Sequence, residues 1–140
     1  MKTEEKALRY YQLADDFATR MFYSKAIVYY KQSLALYLSL AKHNPADHCL
    51  PIAHIFSNLS IIYMSIEELK RCEELHENAL RMYRVLVKTD YQKYAAELVG
   101  CIIDGVRYLN QHTVTLYEAK MILNQMEEGQ TKDDLEKVVR

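Results

Sequence analysis

At 140 residues, with a formal net charge of -1, half of the residues apolar and 26% charged, the chain has the make-up of one folded domain and not of a disordered or collagen-like segment. Three glycines and two prolines are too few for the many turns of a β-sandwich or barrel, so the expected class is all-α. The balanced charge sets up no field for nucleic acid or an anionic membrane surface, and neither is expected as a partner.

Met1 to Lys6 carry charge where a signal peptide needs an apolar stretch, and the apolar run from Leu34 to Ala41 is broken by Ser39, so neither export nor a membrane span is expected. Cys49, Cys72 and Cys101 are odd in number and lack C-x-x-C spacing. They suit a reducing, cytoplasmic compartment better than a disulfide framework or a zinc ribbon.

Apolar residues recur at helical spacing through Leu8, Tyr11, Ala14, Ala18 and Met21, then through Ala26, Tyr29, Tyr30, Leu34, Tyr37 and Leu40. Breaks at Tyr23-Ser24, His43 to Asp47, Ser65, Thr89-Asp90, Asn110 and Glu128-Gly129 divide the chain into seven helical segments. Pro51 is expected in the first turn of a helix starting near His48, where its missing N–H costs little. Ser65-Ile66-Glu67-Glu68 has the S-x-x-E form of a capping box and predicts a helix start. The segments pair as hairpins over about 4–42, 48–88 and 91–127, making one domain over 1–127, and 128–140 reads as a short amphipathic helix capped by Thr131 that covers the last hairpin or frays.

The three hairpins share a frame of residue sizes. Ala14, Ser60 and Gly100 occupy one slot, Ala26, Cys72 and His112 the next, and Ser33, Ala79 and Ala119 a third. Large residues align too: Tyr10, Phe56 and Ala96, then Leu13, Leu59 and Val99, then Phe17, Tyr63 and Ile103. The period is long, with 46 positions from Ala14 to Ser60 and 40 from Ser60 to Gly100.

Enzyme chemistry finds little support. No G-x-G-x-x-G, P-loop, G-x-S-x-G or paired-carboxylate motif occurs, and cysteines inside packed helices behave as inert small hydrophobes. His43, His48 and His54 lie near Asp47 and Cys49 but make no H-E-x-x-H and no His pair at i, i+4, so no metal or other cofactor is expected. Five of the 12 tyrosines, Tyr10, Tyr30, Tyr37, Tyr63 and Tyr83, fall in large-residue slots and are expected in the core, hydroxyl toward the surface.

This pattern resembles the tetratricopeptide repeat, in which small residues sit where two antiparallel helices cross and large ones fill the space between. The likeness covers roughly positions 4 to 127. Its best part, His43-Asn44-Pro45 followed by Ile52 to Tyr63 and Ala79-Leu80-Arg81-Met82-Tyr83, is similar to the roughly 42-residue repeats of kinesin light chains. Ala96 in an aromatic slot and His112 in a small one depart from it.

The resemblance implies an all-α solenoid of three stacked antiparallel hairpins with a concave groove lined by the first helix of each. Those positions hold Tyr11, Gln12, Asp15 and Thr19, then His54, Ser57, Asn58 and Ile61, then Tyr94, Glu97, Leu98, Cys101 and Asp104. Asn58 stands where the family grips a ligand's backbone, and Tyr11 and Tyr94 are expected as aromatic anchors. The basic clamp of the chaperone-binding subclass is replaced by Leu8, Tyr94 and Leu98, and Asp15, Glu97 and Asp104 are opposite in sign to the basic grooves of kinesin light chains. The implied function is a non-enzymatic adaptor for a neutral or basic protein segment; the alternative is a structural or self-associating helical module, and homo-oligomers fit either.

Overall fold

The computed structural model describes residues 2–108 and 113–139. Every element in them is an α-helix: α1 (Thr3–Thr19), α2 (Tyr23–Ala41), α3 (Pro45–Ser65), α4 (Leu69–Thr89), α5 (Tyr91–Tyr108), α6 (Thr113–Gln125) and α7 (Gln130–Val139). The all-α class read from the sequence holds, with seven helices where seven segments were expected. The chain divides into two compact units, Met1–Leu75 and His76–Arg140, with the boundary inside α4. The expected break at Asn110 and the slot at His112 lie outside the described residues.

In the first unit α1 and α2 pack as an antiparallel pair. The Tyr10 and Tyr29 rings meet at 5.8 Å, Phe17 stacks on Tyr29 at 5.6 Å, and the Ser33 hydroxyl donates to the Ala7 carbonyl at 2.7 Å. Ala7, Ala14, Ala26 and Ser33 are wholly buried, which is what lets the two backbones approach closely. α3 returns along α2, with the His48 ring tilted against Tyr37 at 6.2 Å, and the Ser60 hydroxyl reaches across to the Cys72 carbonyl of α4 at 3.0 Å.

The turn out of α1 is a Schellman motif. The Phe22 amide donates to the Phe17 carbonyl at 2.8 Å and the Met21 amide to Ala18 at 3.0 Å, with Met21 in the left-handed region at φ 63° and the Phe17 and Phe22 rings edge to face. α3 ends in the same way. The Glu68 amide donates to Tyr63 at 2.8 Å, the Glu67 amide to Met64 at 3.0 Å, and Glu67 takes φ 63°.

That geometry overturns the capping box. Ser65 is the last residue of α3, its hydroxyl donates back to the Ile61 carbonyl at 3.0 Å, and α4 begins only at Leu69. Ser65, Ile66 and Glu67 close α3, while Glu68 serves both helices, its amide donating to Tyr63 and its carbonyl accepting the Cys72 amide of α4 at 3.1 Å; the Ser65 hydroxyl takes a helical carbonyl and caps nothing in α4. Pro51 is also displaced from its expected place: α3 starts at Pro45, the proline at the N-terminal position, so Pro51 lies inside the helix.

In the second unit α5 and α6 are antiparallel, and α7 packs against both. The Tyr91 hydroxyl donates to the Ile122 carbonyl at 2.9 Å, and the Gln92 amide finishes α6, donating to the Gln125 carbonyl at 3.3 Å and accepting from the Glu127 amide at 3.0 Å. α7 starts at Gln130, and the Gly129 carbonyl accepts its first-turn bond from the Asp133 amide, so Thr131 is inside the first turn and not its cap. Lys132, only 7% exposed, reaches the Glu128 carboxylate at 2.8 Å and the Met126 carbonyl at 3.4 Å, joining α7 to the end of α6. The buried Lys132 stem adds packing to the joint beside its ion pair.

The third small slot is filled as read: Ser33, Ala79 and Ala119 are each wholly buried. The first is not uniform. Ala14 and Ser60 are buried, but a methyl added at Gly100 meets nothing within 4 Å, so no close crossing depends on that glycine.

Candidate functional site

The expected site residues divide between the units. Tyr11, Gln12, Asp15, His54, Asn58 and Ile61 belong to the first; Tyr94, Glu97, Cys101 and Asp104 belong to the second.

In the first unit, α1 and α3 run in the same direction on either side of a seam floored by α2. The Asn58 amide crosses it and donates to the Tyr11 hydroxyl at 3.1 Å. The Tyr11 ring in turn meets Tyr30 of α2 edge to face at 5.8 Å, and the Tyr30 hydroxyl donates to the Asp15 carboxylate. Burial, and after it the Asp15 carboxylate alongside, holds the Tyr30 phenol far above its ordinary range, so it remains a donor. Tyr30 was expected to turn its hydroxyl to the surface; it is 2% exposed and its hydroxyl is spent inside the seam.

The bridge between Tyr11 and Asn58 separates two open pockets. One, of about 180 Å³, is lined by Leu8 and Tyr11 of α1, Tyr37 of α2, and Leu50, Pro51 and His54 of α3. The other, of about 170 Å³, is lined by Ala18 of α1, Tyr23 and Tyr30 of α2, and Asn58, Ile61, Ile62 and Ser65 of α3. Leu8 and Ile61 are 47% and 45% exposed, large apolar side chains open to solvent at opposite ends of one seam. Gln12 is exposed on α1. Glu4 adds to burial in raising the Tyr37 phenol, so it and Asp15 put negative charge along the α1 side.

The second unit treats its expected residues differently. Cys101 and Leu98 are 4% and 2% exposed, so both are core residues and neither is open to a partner. The Cys101 sulfur lies 3.9 Å from His76 Nδ1, and burial, with Asp104 adding to it and Arg84 opposing, pushes the thiol up to about 12. Such a thiol stays protonated and is a poor nucleophile at neutral pH. Asp104 is half-buried and its carboxyl is raised by that burial, against the pull of Arg107. Tyr94 and Glu97 are half-buried, and the Lys93 ammonium sits 5.2 Å from the Tyr94 ring centroid. In the same unit Arg84 of α4 forks onto Glu118 of α6, at 2.9 Å and 3.2 Å.

Among the described residues no group of three or more His, Cys, Asp or Glu is gathered as a metal ion requires, and no helix is long and apolar enough to cross a membrane. Leu50, Pro51 and Tyr37 are pocket residues that sequence reasoning did not assign to the site. Tyr37 belongs to the core pattern, and Leu50 and Pro51 precede His54, the first groove position that the resemblance implies on this helix. Compared with known proteins, the chain matches no protein-family model, no curated protein and no solved structure.

Proposed function

We propose that the protein is a non-enzymatic interaction module, an array of helical hairpins of tetratricopeptide type, and that the α1/α3 seam of its first unit receives a segment of another protein. The observation that carries this reading is the pairing of two open, mainly apolar pockets on either side of a polar bridge, Tyr11 with Asn58. Binding sites join apolar walls to a few placed polar groups in this way. The recurrence of the Schellman turn at Met21 and Glu67, in step with the size frame of the sequence, supports a repeat origin. The unpaired thiols Cys49, Cys72 and Cys101 favour a cytoplasmic location.

The test is selection of peptides from a random phage-displayed library on the purified protein. Selected peptides should bind the native protein and lose at least tenfold in affinity to Leu8→Glu and Ile61→Glu, changes at two exposed positions. Peptides that bind both variants as tightly as the native protein would place the site elsewhere.

A further inference from the structure

We infer that the segment held in the seam is an extended peptide with two large apolar side chains four positions apart and a basic residue midway between them. This rests on the α1/α3 seam being the binding site and adds the register and charge of its occupant.

The spacing follows from the helices themselves. Along α3 the first pocket is lined around Leu50, Pro51 and His54 and the second around Asn58, Ile61 and Ser65, roughly ten residues further on; along α1 the step from Leu8 and Tyr11 to Ala18 is similar. At 1.5 Å per helical residue the pocket centres are about 13–15 Å apart. An extended chain advances about 3.3 Å per residue, so four residues span about 13 Å. Four is also an even number, so both side chains point from the same side of the strand into the seam, whereas three or five would turn one of them to solvent.

The residue midway points down as well, at the bridge between the pockets. It meets the Tyr11 hydroxyl and, one helical turn along α1, the half-buried Asp15 carboxylate, which accepts from Tyr30. Besides the His54 imidazole no basic side chain lines either pocket, and Glu4 adds negative charge beside Tyr37. A lysine or arginine therefore fits this place, and a carboxylate is repelled by it.

The experiment uses the whole chain and fluorescein-labelled peptides with two leucines three, four or five positions apart, a lysine two positions after the first leucine, and serine and glycine elsewhere, read by anisotropy. The four-position peptide should bind at least tenfold more tightly than the other two. Replacing its lysine by glutamate should weaken it at least tenfold, and Ile61→Glu should abolish binding while circular dichroism stays unchanged. Equal binding at all three spacings, or indifference to the central charge, overturns the inference. If none of the three binds while library-selected peptides do bind and are lost with Ile61→Glu, the register is wrong and the seam remains the site. If library-selected peptides ignore Ile61→Glu, the seam itself is wrong. A dimer in sedimentation that Ile61→Glu converts to monomer, with no peptide bound, assigns the seam to a second copy of the chain and overturns the inference equally.

Discussion

Met21 and Glu67 hold the same left-handed backbone, φ 63° at each, at matching positions of the first two hairpins. Neither side chain has a reason to be there: Met21 is 73% exposed and Glu67 lies in the exposed turn between α3 and α4. An L-residue in this region costs about 1–2 kcal/mol, of which glycine's looser unfolded chain returns part. Met21→Gly and Glu67→Gly should therefore each stabilise the protein by about 0.5–1 kcal/mol in urea unfolding. Destabilisation by either would mean that the turn is held by its side chain.

Gly100 gives the opposite kind of test, since the sequence pattern made it a crossing residue and the structure leaves open space around it. Gly100→Ala should raise stability by about 0.5–1 kcal/mol, the ordinary gain of alanine over glycine inside a helix. A loss of more than about 1 kcal/mol would restore the close crossing that the repeat frame implied.

Ser33 is wholly buried with its hydroxyl on the Ala7 carbonyl. Ser33→Ala should cost about 1 kcal/mol, the net worth of one buried hydrogen bond, and Ser33→Leu several times more by forcing α1 and α2 apart. Equal effects would show that the slot is not tight.

Thiol labelling separates the cysteines. Cys49 is half-buried, while Cys72 and Cys101 are within the core and Cys101 holds its proton to about 12. With Ellman's reagent at pH 8 the folded protein should release one equivalent slowly, from Cys49, and all three cysteines should react in urea. Rapid reaction of Cys101 in the folded state would contradict its burial.

Asp104 supplies a pH dependence whose sign follows from burial. Its carboxyl keeps its proton to higher pH when folded than when unfolded. Its favourable contribution is therefore fully present below the unfolded value and is lost as pH rises through the folded one. Asp104→Asn lacks that loss, so it should be more stable than the native protein at pH 7, and the difference should close near pH 3. A variant less stable at pH 7 would show that the ionised carboxylate is paired, with Arg107 the nearest candidate.

Helix number and most helix ends were legible because few glycines and prolines interrupt a chain whose apolar residues recur at helical spacing. Thr89-Asp90 is an example: α4 ends at Thr89 and the Asp90 carboxylate accepts the Lys93 amide at 3.2 Å, as an N-cap should. The errors came where local chemistry has two uses. Ser65 to Glu68 reads as a capping box, yet the same residues satisfy the end of α3, and only the left-handed turn at Glu67 decides between them. The resemblance makes Asn58, Tyr11 and Asp15 groove groups, and nothing in the spacing shows that Asn58 bonds Tyr11 or that Tyr30 reaches Asp15. Such pairings depend on which α1 face meets which α3 face, a matter of side-chain length and angle that periodicity does not encode.

Pro51 gives α3 an uneven resistance to opening. With no N–H to donate, it leaves the turn from Pro45 to Leu50 tied to the rest of the helix by fewer bonds than any later turn has. In hydrogen–deuterium exchange the amides before Pro51 should lose protection through local fraying, while those of Ile55 and Leu59, deep in the core, should exchange only through much larger openings. One wall of the Leu50 and His54 pocket should therefore breathe on a faster clock than the other, so that a ligand entering there would meet one firm side and one yielding side.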